Sequence, residues 1–412
     1  DLHTAYRRQR QMCIRDRYNI YSFDRKYDIL SLEGITNFVL FHRQLLSLPV
    51  RLFYRKQEPF MNQNIQKEYH IFQDGSGDFR SLFEALSALQ SSEFPEEANQ
   101  AENLPAAPDF RSSGGDTESV VLFLHAGIYR ERIVILRPGI TIIGDDPQTT
   151  VITGGLYARM PMEDIGKRGT FRTYSCLIAA HDITFKNVTF ENSSGIGPDV
   201  GQALALYADG DRLVFENCRF LGNQDTLFTA PLPPKEIEAN GFVGPGQKLP
   251  RVFGRHYYKN CYLEGDIDFI FGGATAYFEN CELFSKYINR PVNSYVTAAS
   301  TPQGQPYGYV MKDCRFTGNC PPHSAYLGRP WREYAKTVLL NCYIGEHICE
   351  EGWHDWNKEA AHENALYAEY ESTGPSSDMK KRPGWVKSLT PAEAAFYVKS
   401  LVLKGNDGWN PA

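Results

Sequence analysis

Ile183-Thr-Phe-Lys-Asn187-Val188-Thr-Phe190 is followed by Leu213-Val-Phe-Glu-Asn217-Cys218-Arg-Phe220, and the two stretches share one plan. Apolar residues alternate, an Asn interrupts, a small residue follows, and a second short alternation closes the unit. The plan returns at His256-Tyr-Tyr-Lys-Asn260-Cys261-Tyr-Leu263, Ala276-Tyr-Phe-Glu-Asn280-Cys281-Glu-Leu283, Tyr309-Val-Met-Lys-Asp313-Cys314-Arg-Phe316 and Thr337-Val-Leu-Leu-Asn341-Cys342-Tyr-Ile344. Successive Asn/Asp positions lie 20 to 43 residues apart. That is too variable for helical arrays and natural for coils whose loops accept insertions. A period of two with one turn residue per copy predicts an all-β chain wound as a parallel β-helix, each coil burying one strand face against the last. The Asn side chains are then placed to hydrogen-bond between turns, with the following Cys pointing inward as a small hydrophobe.

Five of the nine cysteines (218, 261, 281, 314 and 342) occupy that inward position. Stacked reduced thiols account for them better than zinc ligands or paired bridges, and Cys13, Cys176, Cys320 and Cys349 are scattered. Asn187-Val-Thr189 fits a glycosylation triplet, but its Asn is the repeat residue and reads as structural. The ten histidines form no compact ligand set, so no metal is expected. With 43 basic against 49 acidic residues, the net charge of −6 argues against a nucleic-acid partner. The stretch nearest to a membrane span, Ile35 to Phe53, is broken by His42, Arg43, Pro49 and Arg51.

Residues 1–65 stand apart as an extra segment. Their run Arg7-Arg8-Gln9-Arg10-Gln11-Met12-Cys13-Ile14-Arg15-Asp16-Arg17 reads as translated adapter text, with Met61 as start, or else as a natural basic arm. No secretory signal is visible, which favours the cytoplasm; a faulty N-terminus would make the location extracellular. The main domain spans 66–412. Phe79, Leu82, Phe83, Leu86 and Leu89 predict a short capping helix with Asp78 as N-cap. Residues 91–118 read as a surface excursion, and Pro231 to Pro250 as an inserted loop near any cleft. Thr390-Pro391-Ala-Glu393 predicts a capping box opening a helix through Phe396, Tyr397 and Val402, laid over an end or side of the stack.

Four polar clusters sit at the same phase of successive coils: Gln202-Ala-Leu-Ala-Leu206, Gly222-Asn-Gln224-Asp225-Thr-Leu-Phe228, Gly265-Asp-Ile-Asp268-Phe-Ile-Phe-Gly272 and Leu327-Gly-Arg329-Pro-Trp331. Stacked, they bring two carboxylates, two amides and a guanidinium to one outer face. That inventory suits acyl chemistry on a sugar acid, in which one carboxylate attacks an ester carbonyl, another protonates the departing alcohol, and amide N–H groups hold the oxyanion. No Gly-x-Ser-x-Gly elbow is present, which argues against a serine hydrolase.

These motifs resemble the pectin methylesterases, the pectinesterase family of carbohydrate esterases. The resemblance runs over residues 69–404. It takes in Asp74 to Phe79, Gly127-Ile-Tyr129-Arg-Glu131, all four clusters, Gly352-Trp353 with Trp356, and Tyr367 to Pro375. It implies a right-handed parallel β-helix with short capping helices that hydrolyses galacturonosyl methyl esters of pectin, homogalacturonan or methylated oligogalacturonates as a monomer, without cofactor or metal. It further implies Asp268 as nucleophile and Asp225 as general acid, later the base for water. Gln202 and Gln224 form the oxyanion hole, Arg329 bonds Asp268, and Phe228, Phe271, Trp331 and Thr173 meet the sugars. These roles require Asp268 to be held low by Arg329 and Asp225 to be raised by burial and by its charged neighbour.

Taken singly, Asp225 or Asp268 reads better as a turn carboxylate, as Asp266 does, and the aromatics equally as core. A pectin lyase or polygalacturonase, and a catalytically silent carbohydrate-binding β-helix, are the competing functions. The 231–250 insertion points to short oligogalacturonates as the favoured length.

Overall fold

The computed structural model of the protein describes residues 67–90, 111, 118–163 and 166–412. The segment 1–65 and nearly all of the 91–118 excursion lie outside the described residues. Arg111 within that excursion is described, and it is buried rather than on the surface. Its guanidinium donates to Asp209 (3.1 Å) and to the Pro250 carbonyl (2.8 Å), which ties the excursion to the far end of the 231–250 loop.

Among the described residues three parallel sheets of eleven, eight and seven strands carry the fold. Each coil gives one strand to each sheet: Ile183–Lys186, Thr189–Asn192 and Leu206–Ala208, then Leu213–Glu216, Arg219–Leu221 and Leu227–Thr229. Like residues stack in register, Phe185 on Phe215 and Phe215 on Tyr258. The ring column continues to Phe278, with centroids 6.0, 4.9 and 4.5 Å apart at successive steps. This is the parallel β-helix expected from the repeat.

The repeat Asn and Asp residues make the corner between the first two sheets, and the physics of that corner explains the choice. Asn187, Asn217, Asn260, Asn280, Asp313 and Asn341 all take a left-handed backbone, with φ between 53° and 57°. Most side chains resist this conformation, and short polar ones accept it. Asn217 Nδ2 donates to Asn187 Oδ1, and Asn280 Nδ2 to Asn260 Oδ1, both at 2.7 Å, while Asn187 donates to the Gly144 carbonyl. The next residue points inward: Cys218, Cys261, Cys281, Cys314 and Cys342 are buried free thiols. Each donates weakly to a carbonyl of the preceding coil, as Cys342 Sγ does to Met311 O at 3.3 Å.

Three local expectations are corrected. The first helix is Leu82–Gln90, and Ser81 rather than Asp78 caps it, accepting the Glu84 N–H at 3.0 Å. Asp78 instead accepts the His70 N–H, closing the loop before the helix. At the C-terminus the capping box on Thr390 and Glu393 is present, but the helix is broken. Pro391–Ala394 and a 3-10 turn, Ala395–Tyr397, stop at an extended Val398, and Lys399–Val402 restarts. The break leaves Phe396 exposed and seats Val402 and Leu403 against Tyr257, Tyr277 and Val338, over the side of the eleven-stranded sheet. Finally, the seven-stranded sheet is buried on both faces, as at Leu227–Thr229 and Ser294–Ala299, because a second aromatic cluster covers its outside.

Candidate active site

The covered sheet carries the residues that the sequence singles out. Gln202 precedes its strand Leu206–Ala208, Gln224 and Asp225 precede Leu227–Thr229, Asp268 lies in Ile267–Gly272, and Arg329 follows Ala325–Gly328. Backbone bonds lock these rungs together: Ala203 N–H to Gln224 O (3.0 Å), Asp225 N–H to Ile267 O (3.0 Å) and Arg329 N–H to Thr297 O (2.9 Å).

Both aspartates sit in the left-handed region, Asp225 at φ 63° and Asp268 at φ 52°. At Asp268 the cause is a bulge: Ile267 pairs with Tyr295 but Ile270 with Thr297, so one extra residue is held on this strand. The bulge lets consecutive Phe269 and Ile270 both enter the main core while Asp268 turns outward and Phe271 joins the outer aromatic cluster. Bulges commonly re-aim a side chain beside a site in this way.

A cleft of about 430 Å³ opens over these rungs, lined by Gln202, Gln224, Asp225, Asp268, Phe271, Arg329 and Trp331 among others. Thr173 and Phe228, expected to meet sugars, do not line it. Thr173 is buried, its hydroxyl donating to Thr170 O (2.7 Å) and accepting the Leu204 N–H (2.9 Å). Phe228 is fully buried under the floor, 4.9 Å from Phe271 and 5.0 Å from Phe171 between ring centroids. Thr170 and Phe171 take the wall positions instead.

Arg329 grips Asp268 with both arms, Nε to Oδ1 at 2.8 Å and Nη2 to Oδ2 at 2.7 Å. The guanidinium is itself sandwiched, its central carbon 3.9 Å from the Tyr295 ring centre and 3.7 Å from that of Trp356. Such bidentate, stacked geometry fixes both orientation and charge. Burial and the adjacent Asp268 charge push the Asp225 carboxyl well above the usual carboxylate range, with Arg329 pulling the other way. Asp268 is not held low, contrary to expectation: its burial outweighs the Arg329 pairing and raises it too, though less than Asp225. The difference between the two carboxyls therefore rests on which one holds the guanidinium. Asp266 is a turn residue, its carboxylate accepting the Ile267 N–H and its carbonyl the Tyr295 N–H.

Sequence reading did not single out Thr170, Phe171, Ala298, Arg332 or Lys358, and placed Glu238 only within the inserted loop. Arg332 follows the Leu327-Gly-Arg-Pro-Trp run by one residue and Lys358 follows Trp356 by two, so adjacency to those motifs was the available signal. The inserted loop does reach the cleft, through Ile237, Glu238, Gly241 and Phe242. Arg332 ties it down by donating to the Lys235 carbonyl at 3.2 Å.

The pectinesterase family model matches residues 102–232 and 248–406, leaving a gap within the inserted loop. Pectinesterase 31 of Arabidopsis thaliana is 32% identical over 335 residues, which cover 80% of this chain and 89% of that protein. Probable pectinesterase/pectinesterase inhibitor 23 of the same plant is 31% identical over 352 residues, 83% of this chain but 53% of the relative, so the chain spans about half of that protein's length. Among solved structures, a pectin methylesterase in complex with a hexasaccharide superposes with a TM-score of 0.61 at 26% identity, over 83% of this chain and 98% of that one. The chain belongs to the pectinesterase family.

Proposed function

We propose that the cleft hydrolyses methyl esters of galacturonosyl residues in pectin or oligogalacturonates. Asp268 attacks the ester carbonyl carbon, and the side-chain amides of Gln202 and Gln224 donate to the oxygen that takes up the negative charge. The intermediate collapses as Asp225, protonated at rest, gives its proton to the departing methoxyl oxygen and methanol leaves. Asp225, now a carboxylate, takes a proton from water, whose oxygen attacks the acyl carbon; the acyl–Asp268 bond breaks, returning both aspartates to their starting forms and releasing the sugar acid, which gives its remaining proton to solvent and becomes the carboxylate. Arg329 keeps Asp268 aimed and favours its carboxylate form throughout.

The observation that carries this reading is the two-armed Arg329 grip on Asp268, with Asp225 hydrogen-bonded to the residue just before it. A related pectin methylesterase of the same fold has been solved with a hexasaccharide, which supports an oligosaccharide substrate here. The test is methanol release from methylated galacturonan at constant pH. The expected result is methanol with no new reducing ends and no unsaturated product, and a loss of about 10³-fold or more in Asp268→Asn and Asp225→Asn. Chain cleavage without methanol, or full methanol release by either variant, overturns the reading.

A further inference from the structure

Lys358 lines the cleft, yet none of the steps above uses it. Its Nζ donates to the carbonyls of Pro330 (2.6 Å) and Trp331 (3.1 Å), the two residues after Arg329. The same ammonium lies 4.2 Å from the centre of the Trp356 ring, whose indole also stacks on the Arg329 guanidinium. Trp356 is itself constrained, its N–H donated to His354 Nδ1 at 2.9 Å, with Trp356 and Asn357 both at positive φ. One cation therefore bridges the segment that carries Arg329 and the turn whose Trp356 ring covers one face of its guanidinium.

We propose that Lys358 is a positioning residue for the ester cleavage: it staples the Arg329–Trp331 segment to the Trp356 turn, and its charge adds to that of Arg329 in favour of the Asp268 carboxylate. The proposal rests on the esterase reading. The charged groups that face Lys358 are Arg332, Arg329 and Asp268, and Glu238 and Asp225 line the same cleft. Burial and then the two guanidiniums press the Lys358 amine down to about 8, so it is cationic through the acid and neutral range. In the other direction, the Lys358 charge helps Arg329 to oppose the burial that raises Asp268.

The experiment compares Lys358→Met, Lys358→Gln and Lys358→Arg with the wild type on methylated oligogalacturonates, measuring kcat and KM across pH and the melting temperature of each protein. In Lys358→Met, kcat/KM should fall about tenfold, carried mainly by kcat, since a misplaced Arg329 weakens only the reacting geometry. The acid limb of kcat/KM should move up by about half a pH unit in Met and Gln, because a lost neighbouring cation disfavours the carboxylate. Lys358→Arg should stay within about threefold of wild type with the limb in place, since it restores charge and donors. If the Met variant fails to fold, Gln against Arg makes the same comparison. Acid limbs unmoved in Met and Gln, or a loss confined to KM, overturn the staple. A wild type that releases no methanol overturns the esterase reading as well.

Discussion

At the scale of single residues, the site depends on two buried carboxyls made unlike by one guanidinium. Gln224, at the cleft beside Asp225, is proposed to hold the oxyanion; Gln224→Ala should lower turnover by about 10²–10³, with much less change in KM. Asp225 also carries a stability cost. Its folded value lies above its ordinary 3.8, so its contribution to stability is fully present below that pH and is lost as pH rises toward the raised folded value. Asn in its place is never charged. Asp225→Asn should therefore be inactive yet more stable than wild type at pH 7, by on the order of 1 kcal/mol, with the gain closing near pH 4. Thermal melts at the two pH values check this; a variant less stable than wild type at pH 7 would show that the carboxylate is better accommodated than its burial implies.

At the scale of elements, the corner between sheets is the recurrent device. Asn217 holds φ at 53° and donates to Asn187, so Asn217→Ala should cost about 1–2 kcal/mol in urea unfolding, and Asn217→Gly, free to take positive φ, distinctly less. Equal losses would mean that the side-chain ladder, not the backbone, sets the corner. These corners were legible in the sequence because the constraint recurs six times with the same residue types. The bulge at Asp268 was not, because Phe269-Ile-Phe271 is an unbroken apolar run that any strand buried on both faces can carry, and only the pairing with Ser294–Ala299 exposes the extra residue. Phe228 was misplaced for a related reason. Alternation tells inside from outside, but on this sheet the outside is roofed by Phe171, Phe242 and Trp331, and an outward ring becomes buried. Asp78 lost the cap to Ser81 because the His70 N–H competes for its carboxylate.

At the scale of the molecule, quasi-one-dimensional stacking leaves insertions free to vary while the rungs stay in place. The 231–250 loop is such an insertion. It walls the cleft with Ile237 and Phe242 and is fastened through Arg332 and Arg111. Replacing residues 235–241 with a short Gly-Ser connection should raise kcat/KM on long methylated homogalacturonan relative to a short oligomer, by about tenfold if the wall limits chain length. An unchanged ratio would free the loop of that role. The buried thiols have a different consequence. All eight described cysteines are enclosed, and burial lifts Cys218, for example, to about 12. A maleimide dye at neutral pH should thus leave these eight untagged on the native protein and reach them only as coils part. Because the cysteines are strung along the axis like beads on a rod, the order in which mass spectrometry finds them tagged would tell from which end the winding comes undone.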